Sequence, residues 1–301
     1  MKELVVISGK GGTGKTSLVA SLAVLAGRAV VADCDVDAAD LHLVMDPRII
    51  REEDFTGGKC VSIIPEKCAG CGKCRELCRF GAVVRRKGEI PGYFIDHLSC
   101  EGCGVCSYFC PEKAIEFRLQ VNGRWFISQS RSGPMVHARL GIASENSGKL
   151  VSLVRGQARK IAENENLPYI ISDGPPGTGC PVIASVTGAD AVLIVAEPTV
   201  SGDHDMKRVA ELCAYFKVPA YLCVNKFDLN AGMCRRIEEN AGAAGVQEVG
   251  RIHFDRAVTE AQLEGLPVTL FKKSAAAEDI RKIWENLNGQ LNRSQKRGEK
   301  H

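Results

Sequence analysis

Leu4-Val5-Val6-Ile7-Ser8-Gly9-Lys10-Gly11-Gly12-Thr13-Gly14-Lys15-Thr16-Ser17-Leu18-Val19-Ala20 places an apolar run, a glycine-rich turn and a helix-forming segment in immediate succession. The unbroken run Leu4–Ile7 predicts a strand covered on both faces, as in a parallel sheet. Gly9 to Thr16 satisfies G-x4-G-K-[ST], a loop whose backbone N–H groups turn inward around phosphates. In this pattern Lys15 reaches the β- and γ-phosphates, the Thr16 hydroxyl binds Mg²⁺, and the helix beginning at Ser17 adds its positive N-terminal dipole. Gly9, Lys10, Gly11, Gly12, Thr13, Gly14, Lys15, Thr16 and Ser17 are therefore the candidate nucleotide contacts. Strand, loop and helix in this order predict an α/β fold.

Further strands end on functional-looking residues. Ala29-Val30-Val31-Ala32 runs into Asp33-Cys34-Asp35-Val36-Asp37, and Ile170-Ile171-Ser172 into Asp173 followed by Gly174-Pro175-Pro176-Gly177-Thr178-Gly179. Tyr221-Leu222-Cys223-Val224 runs into Asn225-Lys226-Phe227-Asp228. Each pattern delivers polar groups to the C-terminal edge of a sheet, where open α/β folds bind ligands.

Between these strands lies a second signal. Cys68, Cys71, Cys74 and Cys78 are repeated 32 residues later as Cys100, Cys103, Cys106 and Cys110, each run spaced C-x2-C-x2-C-x3-C. Three thiolates in successive tight turns wrap three corners of a cubane, and the fourth serves the neighbouring cluster. The pairing expected is Cys68, Cys71, Cys74 with Cys110, and Cys100, Cys103, Cys106 with Cys78, each set holding one [4Fe–4S] cluster. Zinc sites take two separated C-x2-C pairs, so a third cysteine at the same spacing leaves zinc a ligand too many. A disulfide framework needs an oxidising compartment, and Met1-Lys2-Glu3 leads into a strand with no secretory h-region, so a cytoplasmic location is expected. Arg79 stands where Pro usually follows the fourth cysteine, whereas Cys110-Pro111 keeps the usual form.

Lys10 makes the phosphate loop more specific. Lys10-Gly11-Gly12-Thr13-Gly14-Lys15-Thr16 resembles the deviant Walker A motif of the MinD, ParA and nitrogenase-iron-protein superfamily of P-loop ATPases. Met135–Gly141, Glu145–Val151, Asp173–Pro181 and Glu197–Val209 extend the likeness to members carrying an inserted ferredoxin domain, over roughly residues 1–290. The resemblance implies a mostly parallel P-loop NTPase sheet with a small α+β ferredoxin-like insert. It implies ATP with Mg²⁺ as cofactor and a nucleotide-dependent homodimer in which Lys10 crosses to the partner's nucleotide, stabilising transition-state charge as an arginine finger does. By the same resemblance Asp35 orients the attacking water, Asp173 is the Walker B-like acid held through water to Mg²⁺, and Asn225 contacts adenine. Read literally, Asn225-Lys226-Phe227-Asp228 is instead the guanine-reading motif of GTPases, so ATP and GTP both stay open on this segment. Cys180 lies where the nitrogenase iron protein ligates a bridging cluster, but the expected second cysteine is missing, so a buried or metal-contacting Cys180 is expected.

The function implied is an ATPase of slow basal turnover, coupling a dimer cycle to electron transfer through two [4Fe–4S] clusters. An iron–sulfur carrier like the Mrp group is the alternative, set back by the lack of a C-terminal C-x-x-C after Cys180. A positioning ATPase like MinD has no need of clusters.

With 301 residues, 45% hydrophobic and 25% charged, the chain can bury one α/β core and carry a small insert. A net charge of +3 is too small to argue for nucleic acid, so none is expected as a partner, and no apolar run approaches the ~20 residues of a membrane span. The expected division is 1–57 with 129–292 for the P-loop domain, 58–128 for the insert and 293–301 for a basic tail. A hairpin of Ala114–Leu119 and Arg124–Ile127, turning at Asn122-Gly123, is expected to close the insert. Lys67, Lys73, Arg75, Arg79, Arg85, Arg86 and Lys87 crowd the first ladder and read either as a solvated face or as a docking patch for an acidic redox partner. Ile280, Ile283, Trp284, Leu287 and Leu291 recur at helical spacing and predict a helix docked on its own sheet, against a membrane-bound one. Asn146-Ser147-Gly148-Lys149 reads equally as a helix N-cap or as a coupling segment. Cys213 and Cys223 fall in apolar patterns and read as core residues.

Overall fold

The computed structural model describes residues 1–85, 92–97, 99–141 and 146–298, with only the backbone of 59, 60 and 293–298. Arg86, Lys87, Glu145 and the side chains of Cys60 and of Arg293, Lys296, Arg297 and Lys300 lie outside the described residues. Among the described residues thirteen strands run in chain order: β1 Lys2–Ser8, β2 Ala29–Asp33, β3 Arg48–Phe55, β4 Gly58–Ile63, β5 Val83–Arg85, β6 Tyr93–Ile95 and β7 Ile115–Gln120. β8 Gly123–Ser130, β9 Gly133–Leu140, β10 Tyr169–Asp173, β11 Ala191–Ala196, β12 Ala220–Asn225 and β13 Gln247–Ile252 follow. Two compact units result, one of Met1–Glu53, Trp125–Leu140 and Ser147–His301, the other of Asp54–Arg124 and Gly141–Asn146.

The nine-stranded sheet has the order β13-β12-β11-β1-β10-β2-β9-β8-β3. Neighbours from β13 to β9 pair in parallel, so this is an α/β P-loop NTPase fold with a mostly parallel central sheet. Successive side chains of β1 go to opposite faces, as strand geometry requires. Leu4 and Val6 join the core cluster containing Leu18, Leu22 and Ile280, whereas Val5 and Ile7 join the cluster containing Met206, Val209 and Ile237. The sheet is thus sandwiched, which is why its central strands read as continuous apolar runs. Register does the positioning: Val6 pairs with Asp173 and Asp173 with Asp33, bringing the phosphate loop and two acids to one edge.

The helix Ala275–Gly298 docks as expected, for Ile280, Ile283, Trp284, Leu287 and Leu291 are all buried in the first cluster. Among the described residues no helix is long and apolar enough to cross a membrane. The helix Ser147–Asn164 is tied to β1 by charge. Arg155 grips Glu3 with Nε–Oε1 at 2.6 Å and Nη2–Oε2 at 2.8 Å, and Glu3 is 1% exposed. Arg155 also donates to the Ala184 and Thr187 carbonyls, so its remaining N–H groups are not left bare.

The unit around 54–124 obeys an internal two-fold written in the 32-residue repeat. β4 pairs antiparallel with β7, and β5 with β6, joining Ile63 to Ile115 and Val83 to Ile95. Adding 32 turns Ile63 into Ile95 and Val83 into Ile115, so each pair is built from the first half of one repeat and the second half of the other. Val61, Val83, Ile95 and Ile115 form its small core, with five of the ladder cysteines packed against it.

The expected hairpin is not formed. β7 pairs with β4, whereas β8 lies between β9 and β3 in the large sheet. Asn122-Gly123 is a true punctuation mark, but it separates two sheets: Asn122 N–H donates to Phe55 O, and its side chain accepts from Gly58 N–H. Consequently the large sheet holds three strands, β3, β8 and β9, beyond those expected.

Candidate functional site

The phosphate loop connects β1 to the helix Lys15–Ala26. Gly12 and Gly14 take φ of 80° and 84°, the left-handed region that side chains resist. Gly14 has a second reason to be glycine, since a Cβ there would stand 2.4 Å from Asn225 Nδ2. Asn225 donates that amide to Thr13 O at 2.7 Å, tying the end of β12 to the loop.

Lys15 is 6% exposed and bonds Asp173 Oδ1 at 2.6 Å, with Asp35 Oδ2 at 3.5 Å. Burial works against its charge, but Asp173 chiefly, then Asp35 and Asp33, outweigh it and raise its pKa. Thr16 Oγ1 donates to Asp173 Oδ2 at 2.8 Å, so the predicted Mg²⁺ hydroxyl and the Walker B-like acid are already adjacent. Asp33 is fully buried and its carboxyl is pushed well up, by burial first and by Asp173 next. Asp35 is raised as well, by burial against the pull of Lys15, which makes it a stronger base than a free aspartate. Thr13 Oγ1 and Asp33 Oδ2 are buried and find no hydrogen-bond partner among the described residues. An orphaned hydroxyl in the loop and a lysine neutralised by carboxylates are what a site shaped for phosphate and a cation presents without them. The Thr16 hydroxyl and the adjacent Asp173 carboxylate are hard oxygen groups of the kind Mg²⁺ takes.

Lys10 is 36% exposed and sits 3.1 Å from Glu197 Oε2 and 3.4 Å from Ser201 Oγ. Glu197 also holds Lys226 through Oε1 at 2.6 Å, and the two lysines pull its pKa below the usual carboxylate value despite its burial. Glu197 and Asp205 lie in the segment that carries the family likeness, but no spacing in the sequence assigns either a role. A Cβ on Gly9 would fall 2.0 Å from the Asp205 Cβ, so this close approach demands the glycine. Ser17 Oγ accepts from Gln262 Nε2 at 2.7 Å. Gly11 has open space around it.

In the other unit the eight ladder cysteines line two separate cavities. Cys68, Cys71, Cys74 and Cys110 surround one, and Cys78, Cys100, Cys103 and Cys106 the other. They enclose about 350 and 340 Å³ of atom-free space, counting what opens to solvent. The backbone explains how closely spaced cysteines converge: Gly70 and Gly72 have φ of 68° and 78°, and Gly102 and Gly104, their repeats, 57° and 83°. These left-handed turns reverse the chain between thiols and start the short helices Lys73–Leu77 and Val105–Tyr108. Gly81 and Lys113 repeat the device after the fourth cysteine, with φ of 66° and 50°. Among the described residues no three His, Cys, Asp or Glu side chains are gathered to hold a single metal ion. Four thiols spread round a cavity, with an N–H from Ala114 donated to Cys110 Sγ at 3.3 Å, fit a polynuclear centre instead. Burial raises the Cys74 and Cys106 thiols, so loading the site must release protons.

Cys180 is exposed, not buried, at the first position of the helix Cys180–Val186. Its carbonyl instead lies where a Cβ on Gly148 would approach to 3.4 Å. Cys34, Cys213, Cys223 and Cys234 are buried.

The family described as the CobQ/CobB/MinD/ParA nucleotide binding domain matches residues 4–268. An uncharacterized protein of Methanocaldococcus jannaschii is 34% identical over 238 residues, covering 76% of this chain and 79% of its own. The iron-sulfur cluster carrier protein of Pyrococcus horikoshii is 29% identical over 143 residues, covering 42% of this chain and 47% of its own. Among solved structures, the cell division ATPase MinD of Pyrococcus furiosus aligns with a TM-score of 0.59 at 19% identity, covering 96% of this chain and 99% of that one. The septum site-determining protein MinD of Pyrococcus horikoshii, complexed with Mg-ADP, aligns with the same TM-score and identity, covering 96% of each chain. These two likenesses are ones of fold.

Proposed function

Because the chain belongs to the CobQ/CobB/MinD/ParA nucleotide-binding domain family, we propose that it binds and hydrolyses ATP with Mg²⁺ as a nucleotide-dependent homodimer, and links that cycle to redox chemistry at two [4Fe–4S] clusters. One observation carries the redox half: two rings of four cysteines line separate cavities in a chain that also holds a complete phosphate loop. Such clusters supply one-electron transfer when bound. Cys68, Cys71, Cys74 and Cys110 would hold the first, and Cys78, Cys100, Cys103 and Cys106 the second.

The chain's own residues divide the nucleotide work. With nucleotide bound, Lys15 would turn from Asp173 to the phosphates, and Asp173 beside Thr16 would then be free to help hold Mg²⁺. Asp35, its basicity lifted by burial, orients the attacking water. Lys10 leaves Glu197 for the partner's nucleotide on dimerisation, adding positive charge where the transition state spreads negative charge. Asn225, already bonded to the loop, reads the base.

A second reading is cluster delivery, favoured by relatives named iron-sulfur cluster carrier proteins. The experiment is anaerobic purification with iron and sulfide analysis, then incubation with an apo-ferredoxin acceptor. About eight iron atoms per chain retained in the presence of acceptor and MgATP supports resident redox centres. Loss of half or more to the acceptor favours delivery, and no iron at all removes the redox half.

A further inference from the structure

The internal two-fold allows the two cysteine rings to be compared position by position, and their linings differ in one direction. Lys73 lines the first ring, and its repeat, Val105, lines the second. Tyr93 lines the first ring, and its repeat, Val61, lines the second. The left-handed glycines repeat the contrast: a Cβ on Gly72 would meet the Tyr93 hydroxyl at 2.8 Å, whereas one on Gly104 would meet the Phe117 ring at 3.1 Å. Each ring has one carboxylate on its lining, Glu112 at the first and Glu101 at the second, so the acids cancel in the comparison. The Lys73 ammonium stands 5.9 Å from the centroid of Phe109, the residue preceding Cys110 of the same ring. Arg79 follows Cys78 of the second ring but is exposed and does not line that cavity.

Hydrogen bonds and positive charge near a cluster stabilise its reduced, more negative form, and apolar surroundings do the reverse. We infer that the two centres are electrically inequivalent, the Cys68–Cys71–Cys74–Cys110 ring being the higher-potential one, with Tyr93 and Lys73 as the residues that set the difference. A chain reduced by one electron therefore holds it at the first ring. Lys73 is exposed and its effect is screened by salt, so the half-buried Tyr93 hydroxyl carries the larger share. This inference rests on the cluster reading above and deepens it.

The test is an EPR-monitored redox titration of the anaerobically loaded full-length protein, with Cys71→Ser used to assign which signal belongs to the first ring. Wild type is expected to show two separate one-electron transitions, the first-ring signal appearing at the higher potential. Tyr93→Phe keeps the ring and removes only the hydroxyl. It should lower the first-ring reduction constant about tenfold, ~59 mV, and leave the second in place. Lys73→Gln should move the same transition in the same direction by less, and the move should shrink as salt is raised. Val105→Lys should raise the second transition alone, a gain that loss of folding cannot imitate. Coincident transitions in a fully loaded wild type, or a Tyr93→Phe titration overlaying it, would overturn the inference while leaving the two clusters standing. A chain that takes up no iron would end the cluster reading itself.

Discussion

Lys15, Asp173, Asp35 and Asp33 form a charge cluster that carries its own counterions, and this decides what single substitutions do. Lys15→Ala removes the ammonium that three carboxyl groups face, so MgATP binding should fall below detection in calorimetry. Lys10→Ala breaks only a contact of a part-exposed lysine with Glu197. It should leave nucleotide affinity within about twofold and abolish the rise of turnover with protein concentration; unchanged turnover would refute the role in trans. His137, on β9, offers a pH test. Burial, then His42 and Arg139, lower its pKa from 6.5 to about 4, and Ser128 Oγ lies 2.9 Å from Nε2. Its folded-state pKa lies below the unfolded one, so the stability it contributes is complete above pH 6.5 and drains away as pH falls toward 4. His137→Phe should flatten the decline in melting temperature across that window, and parallel declines in the two proteins would exclude it. At this scale the phosphate loop and the ladders were legible because spacing encodes them. Glu197 and Tyr93 were not, since their roles arise from which strand ends and repeats meet in space.

Among elements, the coupling of β1 to the helix Ser147–Asn164 rests on a buried ion pair. Removing one partner of a fully buried pair costs about 3–5 kcal/mol, whereas replacing both with apolar residues is often neutral. Arg159 Nη2, 3.0 Å from Glu3 Oε2, keeps part of the Glu3 charge matched when Arg155 is lost. Arg155→Met should therefore depress the melting temperature by less than a stranded charge would, and Glu3→Met with Arg155→Met should recover most of the loss. Equal melting of the single and double variants would mean that packing, not charge, sets the energy. The parallel strands were readable as apolar runs because helices cover both faces. β8 was misassigned for a physical reason: Asn122-Gly123 signals a turn locally, but the partners of β7 and β8 are chosen by the 32-residue repeat and by the edge of the large sheet, neither visible in the turn. The same limit hid β3, whose residues up to Asp54 are mostly exposed and give no alternation.

At the scale of the whole molecule, two units of different cohesion share one chain. The large sheet buries its strands between two helical layers, but the unit around 54–124 owns a core of four aliphatic residues completed by cysteines. So small a core needs a staple, and in the proposed function the clusters held by the ladders would supply it. Removing iron by chelation should make residues 54–124 the first region cut by a protease, with the nucleotide-binding unit left intact; equal resistance with and without iron would show that the unit folds unaided. In the proposed mechanism nucleotide state and cluster state belong to one cycle. An anaerobic EPR redox titration with no nucleotide, with MgADP and with a non-hydrolysable MgATP analogue tests it directly. A potential or line shape that changes with the ATP analogue alone is the expected result, and three superimposable titrations of the fully loaded protein would contradict it.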